Sequence, residues 1–199
     1  MHAEEQLKDS RPLIIAYFTG DNGYAGEARN LLLTIRQFGY EYDIQEIDNF
    51  GSWLRNVMYK PIFIKKMLEK HKRSVLYLDA DATIEREIDF TMFLDVDFAV
   101  PYVGNFWVNP ATLFFRNTSG VIELIDKWIN ANDRHPDASS DQINLVDVLN
   151  EANWEKKIRI LNLPKEYCSI SDSIGRADNP IVLQHQASQR LAGIVEIYR

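Results

Sequence analysis

Six apolar residues in a row, Leu13-Ile14-Ile15-Ala16-Tyr17-Phe18, leave this chain little freedom in how it can fold. An alternating pattern would suit a sheet with one wet face, whereas an unbroken run suits a strand covered on both faces. Thr19-Gly20-Asp21-Asn22-Gly23 follows at once as a dense turn signal. Beyond it, Ala28, Leu31, Leu32 and Ile35 share one face of a helix, and Gly39 suits its C-terminal stop. Tyr42, Ile44 and Ile47 then mark a second strand. Strand, glycine-rich turn, helix and strand make a βαβ unit, so the expected class is α/β, a parallel sheet with helices on its faces.

The rest of the chain continues in that manner. Pro61 fits the first turn of a helix running toward His71, and Val75-Leu76-Tyr77-Leu78 reads as a buried strand that ends abruptly in Asp79-Ala80-Asp81. Phe98-Ala99-Val100 and Leu113-Phe114-Phe115 suggest two more strands. A helix is expected from Ser119 to about Asn130, with Val121, Ile122, Ile125, Trp128 and Ile129 inward, and another from Ser139 to about Asn150. Short strands are expected within residues 158–163 and 181–183, with a loop at 175–180. No repeat, low-complexity tract or linker interrupts the 199 residues. That length suits one domain spanning 1–199, with the polar residues 1–11 as a flexible N-terminus.

Composition excludes several classes. No stretch approaches the roughly 20 apolar residues of a membrane helix, and the N-terminus lacks the apolar core of a secretory signal, so the expected location is the cytoplasm. Cys168 is the only cysteine, which excludes an internal disulfide, and it reads as a small buried hydrophobe rather than a nucleophile. A net charge of −7 argues against broad nucleic-acid binding, and the basic runs Lys65-Lys66 and His71-Lys72-Arg73 read as the wet side of a helix.

The acidic pair carries the chemistry. Ligands of open α/β sheets bind beyond the carboxyl ends of the strands, and there Asp79 and Asp81 emerge with only Ala80 between them. Side chains two apart on an extended segment point the same way. Two carboxylates held together are costly unless a cation neutralises them, and their oxygens suit Mg²⁺ or Mn²⁺. The competing reading is a turn-capping Asp79 beside a solvated Asp81.

Taken in order, a series of blocks resembles the GT-A fold of nucleotide-sugar transferases. They are Lys60-Pro61-Ile62-Phe63-Ile64, Val75 to Ala82, Phe98 to Pro101, Asn109 before Thr112 to Thr118, Ser140-Asp141-Gln142, Leu163-Pro164 and His185-Gln186-Ala187-Ser188. The match is to the retaining group that includes glycogenin-like and galactosyltransferase-like enzymes and plant xylosyl/arabinosyltransferases. The resemblance implies a Rossmann-like, mixed and mainly parallel sheet in a single domain, and a hexosyl- or pentosyltransferase using a UDP-sugar. It also implies that Asp79 and Asp81 hold Mn²⁺ or Mg²⁺ through the donor diphosphate, with Asp79 reaching the ribose and His185 completing the shell. An imidazole beside two carboxylates favours Mn²⁺.

Several residues keep two readings. Tyr17 and Thr19 sit at the nucleotide edge or belong to core and turn, and Tyr24 is placed to stack on the base. Lys60 and Arg190 are candidate phosphate contacts or plain surface charges, and Ser188 is small enough for close approach to a diphosphate. Asn109 matches a residue that touches the donor sugar, although Pro110-Ala111 departs from the small residue and glycine of relatives. Asp141 and Gln142 match a block lying over that sugar, yet Ser139 with Gln142 also forms a capping-box pattern, and Asp141 suits a helix N-terminus. The acceptor stays open among a glycan, a protein hydroxyl, a lipid headgroup and, least favoured by the acidity, a nucleic-acid base; oligomeric state stays open as well. Two alternatives remain: a nucleotidyltransferase, although residues 19–26 lack the Lys or Arg of its phosphate loop, and a non-catalytic nucleotide-sugar-binding protein.

Overall fold

The structure, a computed structural model, describes residues 11–20, 23–104, 107–134, 139–151, 153–170 and 176–188. The apolar run becomes β1 (Leu13–Thr19), followed by α1 (Tyr24–Gln37) and β2 (Tyr42–Ile47). Gly39, at φ 67°, takes the left-handed turn that ends α1, and Tyr40 N–H returns to the Ile35 carbonyl. Two helices follow, α2 (Trp53–Met58) and α3 (Lys60–His71), then β3 (Val75–Leu78) and β4 (Ala82–Ile84). Next come β5 (Phe98–Val100), the short hairpin β6 (Tyr102–Val103) and β7 (Trp107–Val108), and β8 (Thr112–Phe115). Helices α4 (Ser119–Arg134) and α5 (Asp141–Glu151) precede β9 (Ile160–Asn162), β10 (Ser169–Ile170) and β11 (Val182–Gln184).

Six strands form one sheet in the order β2-β1-β3-β8-β5-β9. Strands β1/β2, β1/β3 and β5/β9 pair in parallel, while β8 runs antiparallel to both β3 and β5. The sheet is therefore mixed and mainly parallel, as expected, with helices on its faces in a single domain. Successive side chains of its central strands enter opposite cores. Leu13, Ile15, Tyr17, Val75, Tyr77, Leu113 and Phe115 pack with α3, α4 and α5, whereas Ile14, Ala16, Leu76, Leu78 and Phe114 pack with Leu31 and Ile35 of α1. The unbroken apolar run is explained by these two covered faces.

A second, three-stranded sheet matters for the site. Strand β11 pairs antiparallel with β4, setting Gln184 opposite Ala82, and parallel with β10. Its C-terminal end thus arrives where β3 has just ended. No described helix is long and apolar enough to cross a membrane. The expected N-terminal segment 1–11 lies, except for Arg11, outside the described residues.

Candidate nucleotide and metal site at the end of strand β3

Asp79 and Asp81 stand immediately beyond β3, between it and β4. Asp79 N–H donates to the Ala111 carbonyl at 2.9 Å, and its Oδ1 accepts from the Tyr77 hydroxyl at 2.8 Å. Asp81 Oδ2 accepts the Ala187 N–H at 2.6 Å, and the Asp81 carbonyl accepts from His185 N–H at 3.0 Å. Burial first, and the charge of Asp79 next, push the Asp81 carboxyl up to about 6.

Lys60 is not a surface charge. It is 3% exposed, and its ammonium lies 3.1 Å from the Pro110 carbonyl, 3.1 Å from Asp79 Oδ1 and 2.9 Å from Asp141 Oδ2. Protein oxygens thus surround the ammonium, one by a hydrogen bond and two as ion pairs, where a phosphate contact or a surface charge was expected. Burial works against its charge, yet Asp141 and Asp79 outweigh burial and hold the Lys60 pKa above its usual value. Asp141 sits in the first turn of α5; burial raises its pKa against the pull of Lys60. Its Oδ2 has no partner beyond that ammonium.

Two cavities meet here. The smaller, about 110 Å³, is lined by Tyr17, Thr19, Tyr24, Trp53 and Asn56. The larger, about 420 Å³, is lined by Trp107, Asn109, Asp141, Gln142, Gln184 and Gln186. Lys60, Asp79, Asp81, Trp53, Val57 and Ser188 line both and so form the wall between them. Three carboxylates, those of Asp79, Asp81 and Asp141, face one ammonium across this region. When all are ionised, two negative charges stay uncompensated.

The remaining expected residues divide. Tyr17 is drawn into the core, its ring against Phe63 and Tyr59 and its hydroxyl donating to the Asn56 carbonyl at 2.8 Å, so only its edge reaches the smaller cavity. Thr19 is buried at the cavity wall. Tyr24 shares side-chain hydrogen bonds with Trp53 and Ser188, and burial, then the charges of Asp81 and Asp79, raise its pKa. Asn109 Oδ1 accepts from Ala111 N–H at 3.0 Å, closing the Pro110-Ala111 turn. Gln142 Nε2 donates to the Val108 carbonyl at 2.7 Å, tying α5 to β7.

His185 reaches the acidic edge, but its Nε2 meets the Thr83 hydroxyl at 2.8 Å. Among the described residues no three His, Cys, Asp or Glu side chains stand as a ready-made metal site. Arg190 lies outside the described residues. The capping serine is Ser140, not Ser139: Ser140 Oγ accepts from Ile143 N–H at 3.3 Å, and Ser139 Oγ is buried without a partner. Cys168 is buried beside Thr112, and burial pushes its thiol up to about 12, an inert state. Sequence reading missed Trp53, Gln184 and Trp107. Ser52, a helix-start residue, was the available signal for Trp53.

No protein-family model matches the chain, and no curated protein matches it. Among the solved structures similar to this chain is that of a glycosyltransferase involved in the glycosylation of the major capsid of PBCV-1. The similarity covers 88% of this chain and 93% of that one, with a TM-score of 0.65 at 14% sequence identity. At that identity the likeness establishes architecture: the chain has the fold of that glycosyltransferase.

Proposed function

We propose that this chain is a metal-dependent glycosyltransferase of GT-A type that moves a hexosyl or pentosyl group from a UDP-sugar to an acceptor with retention. One observation carries the reading: the Asp79–Asp81 pair forms the wall shared by two cavities in a fold that a glycosyltransferase also has. A nucleotide-sugar is itself a two-part ligand joined by a diphosphate. In this reading its nucleoside would lie toward the smaller cavity beside Tyr24 and Trp53, and its sugar in the larger one near Asn109, Asp141 and Gln142.

The surplus negative charge at the wall fits a divalent cation and rejects a bare diphosphate. Asp79 and Asp81 would hold Mn²⁺ or Mg²⁺, and His185 would join them only by giving up its contact with the Thr83 hydroxyl. A metal ion in that place supplies Lewis-acid stabilisation to the departing diphosphate. Lys60 holds Asp79 and Asp141 at fixed positions on the nucleotide and sugar sides. Asp141, fixed in this way, can accept a hydrogen bond from a sugar hydroxyl. With retention the acceptor enters on the face that the leaving group vacates, and a phosphate oxygen takes its proton.

The test is a panel of nucleotide-sugars with and without Mn²⁺. We expect Mn²⁺-dependent release of UDP from a UDP-sugar, lost in Asp81→Asn. His185→Ala should raise the Mn²⁺ requirement about 10- to 100-fold. Pyrophosphate as the product would point instead to nucleotidyl transfer. Tight GDP or CMP binding without Mn²⁺-dependent UDP binding would overturn the donor.

A further inference from the structure

The β6–β7 hairpin carries a feature that donor binding does not explain. Its register sets Val103 opposite Trp107 and Tyr102 opposite Val108. Residues directly opposite share one face of such a ribbon. Val108 faces the core, and Tyr102 packs half-buried against it. Val103 and Trp107, on the other face, are each 52% exposed, and both line the larger cavity. A large apolar pair held at a cavity rim marks a place that a ligand covers.

The hairpin is held in position. Tyr102 N–H donates to Asn162 Oδ1 at 3.0 Å, Asn109 N–H to the Pro101 carbonyl at 2.8 Å, and Gln142 to the Val108 carbonyl. Carboxamides line the cavity it borders: Asn109, Gln142, Gln184 and Gln186. Gln184 is 4% exposed and spends its Nε2 on the Ala111 carbonyl and the Thr112 hydroxyl, which leaves its Oε1 an acceptor without a partner. An aromatic plane and a set of carboxamides together suit a sugar ring, whose C–H face is apolar and whose hydroxyls both donate and accept.

We propose that Trp107 and Val103 form the platform of an acceptor subsite, and that the acceptor is a neutral glycan. This rests on the glycosyl-transfer reading above. Charge selects the class: among the described residues lining this cavity, Asp79, Asp81 and Asp141 outnumber Lys60, which is already engaged. A phosphorylated headgroup or a nucleic-acid backbone would meet repulsion there.

The experiment is direct binding of the whole protein to an array of neutral and anionic oligosaccharides, with and without UDP and Mn²⁺, beside a Ser/Thr-rich peptide and anionic phospholipid vesicles. The strongest neutral hit is then titrated calorimetrically against Trp107→Ala and Trp107→Phe, with Leu33→Ala, 65% exposed on α1 and outside both cavities, as the control. We expect binding about tenfold weaker or worse in Trp107→Ala, largely kept in Trp107→Phe and unchanged in the control. Thermal melting of each variant establishes that it is folded. Equal binding by Trp107→Ala, a preference for anionic glycans, capture of peptide or vesicles instead, or no glycan bound under either condition overturns the proposal. Failure of the array while nucleotide-sugar cleavage is intact sinks the acceptor assignment alone. Absence of cleavage alongside good glycan binding sinks the transfer reading.

Discussion

Asp81 combines two costs in one side chain, burial and a like charge two residues away, and both act on stability. Its folded pKa of about 6 exceeds the ordinary 3.8, so the folded chain holds this proton more tightly than the unfolded one. As pH rises from about 4 to about 6, the unfolded chain loses the proton first, and this group lowers stability across that window. Asp81→Asn removes the penalty. In metal-free protein with chelator present, the variant should be more stable than the parent by about 1–3 kcal/mol at pH 7, and no more stable at pH 4. Thermal melts at both pH values check this, and a destabilised variant at pH 7 would show that the carboxylate is structural. Neighbouring residues explain why the site was only partly legible. The placement of Asp79 and Asp81 follows from a local pattern, an apolar strand stopping at two acids. The burial of Lys60 was not legible because it depends on Asp141 and Pro110, which are distant in sequence and leave no local trace.

Among the elements, legibility tracked the length of the periodic signal. Strand β1, helix α1 and strand β3 announce themselves through runs of apolar residues that each bury against a neighbour. The hairpin strands β6 and β7 have two residues each, too few to show a period, and they exist through bonds to Pro101 and Asn162. Helix α2, six residues long, was missed for the same reason. The start of α5 shows how a motif can slip by one residue. The spacing of Ser139 and Gln142 satisfies the capping-box pattern, yet Ser140 accepts the Ile143 N–H. Ser140→Ala should therefore cost about 1 kcal/mol, as loss of a cap does, whereas Ser139→Ala should be nearly neutral because its hydroxyl has no partner to lose. Urea denaturation of the two variants decides it, and the reverse order would return the cap to Ser139.

Across the whole molecule, one ammonium ties together parts that the sheet alone does not join. Lys60 on α3 reaches Asp79 beyond β3, Asp141 at the start of α5 and the Pro110 carbonyl before β8. Lys60→Met would leave the buried Asp141 and the half-buried Asp79 without their counter-charge, at about 3–5 kcal/mol near neutral pH. The deficit should shrink at pH 5, because burial already raises the Asp141 carboxyl and makes it the group that takes up a proton. Denaturant midpoints of parent and variant at pH 7 and pH 5 measure it, and an equal loss at both would mean that packing, not charge, is what Lys60 supplies.

The pairing of β11 with β4 sets an order of assembly. The β1–α1–β2 unit and β3 join segments near one another in the chain, so their loops close at little entropic expense. The bond from Ala187 N–H to Asp81 spans 106 residues, and that from His185 to Thr83 spans 102. A chain emerging from its N-terminus can have a folded sheet with its acidic tip already formed while the segment that bonds to Asp81 has yet to be made. The binding edge is then completed only once residues 185–187 have been made.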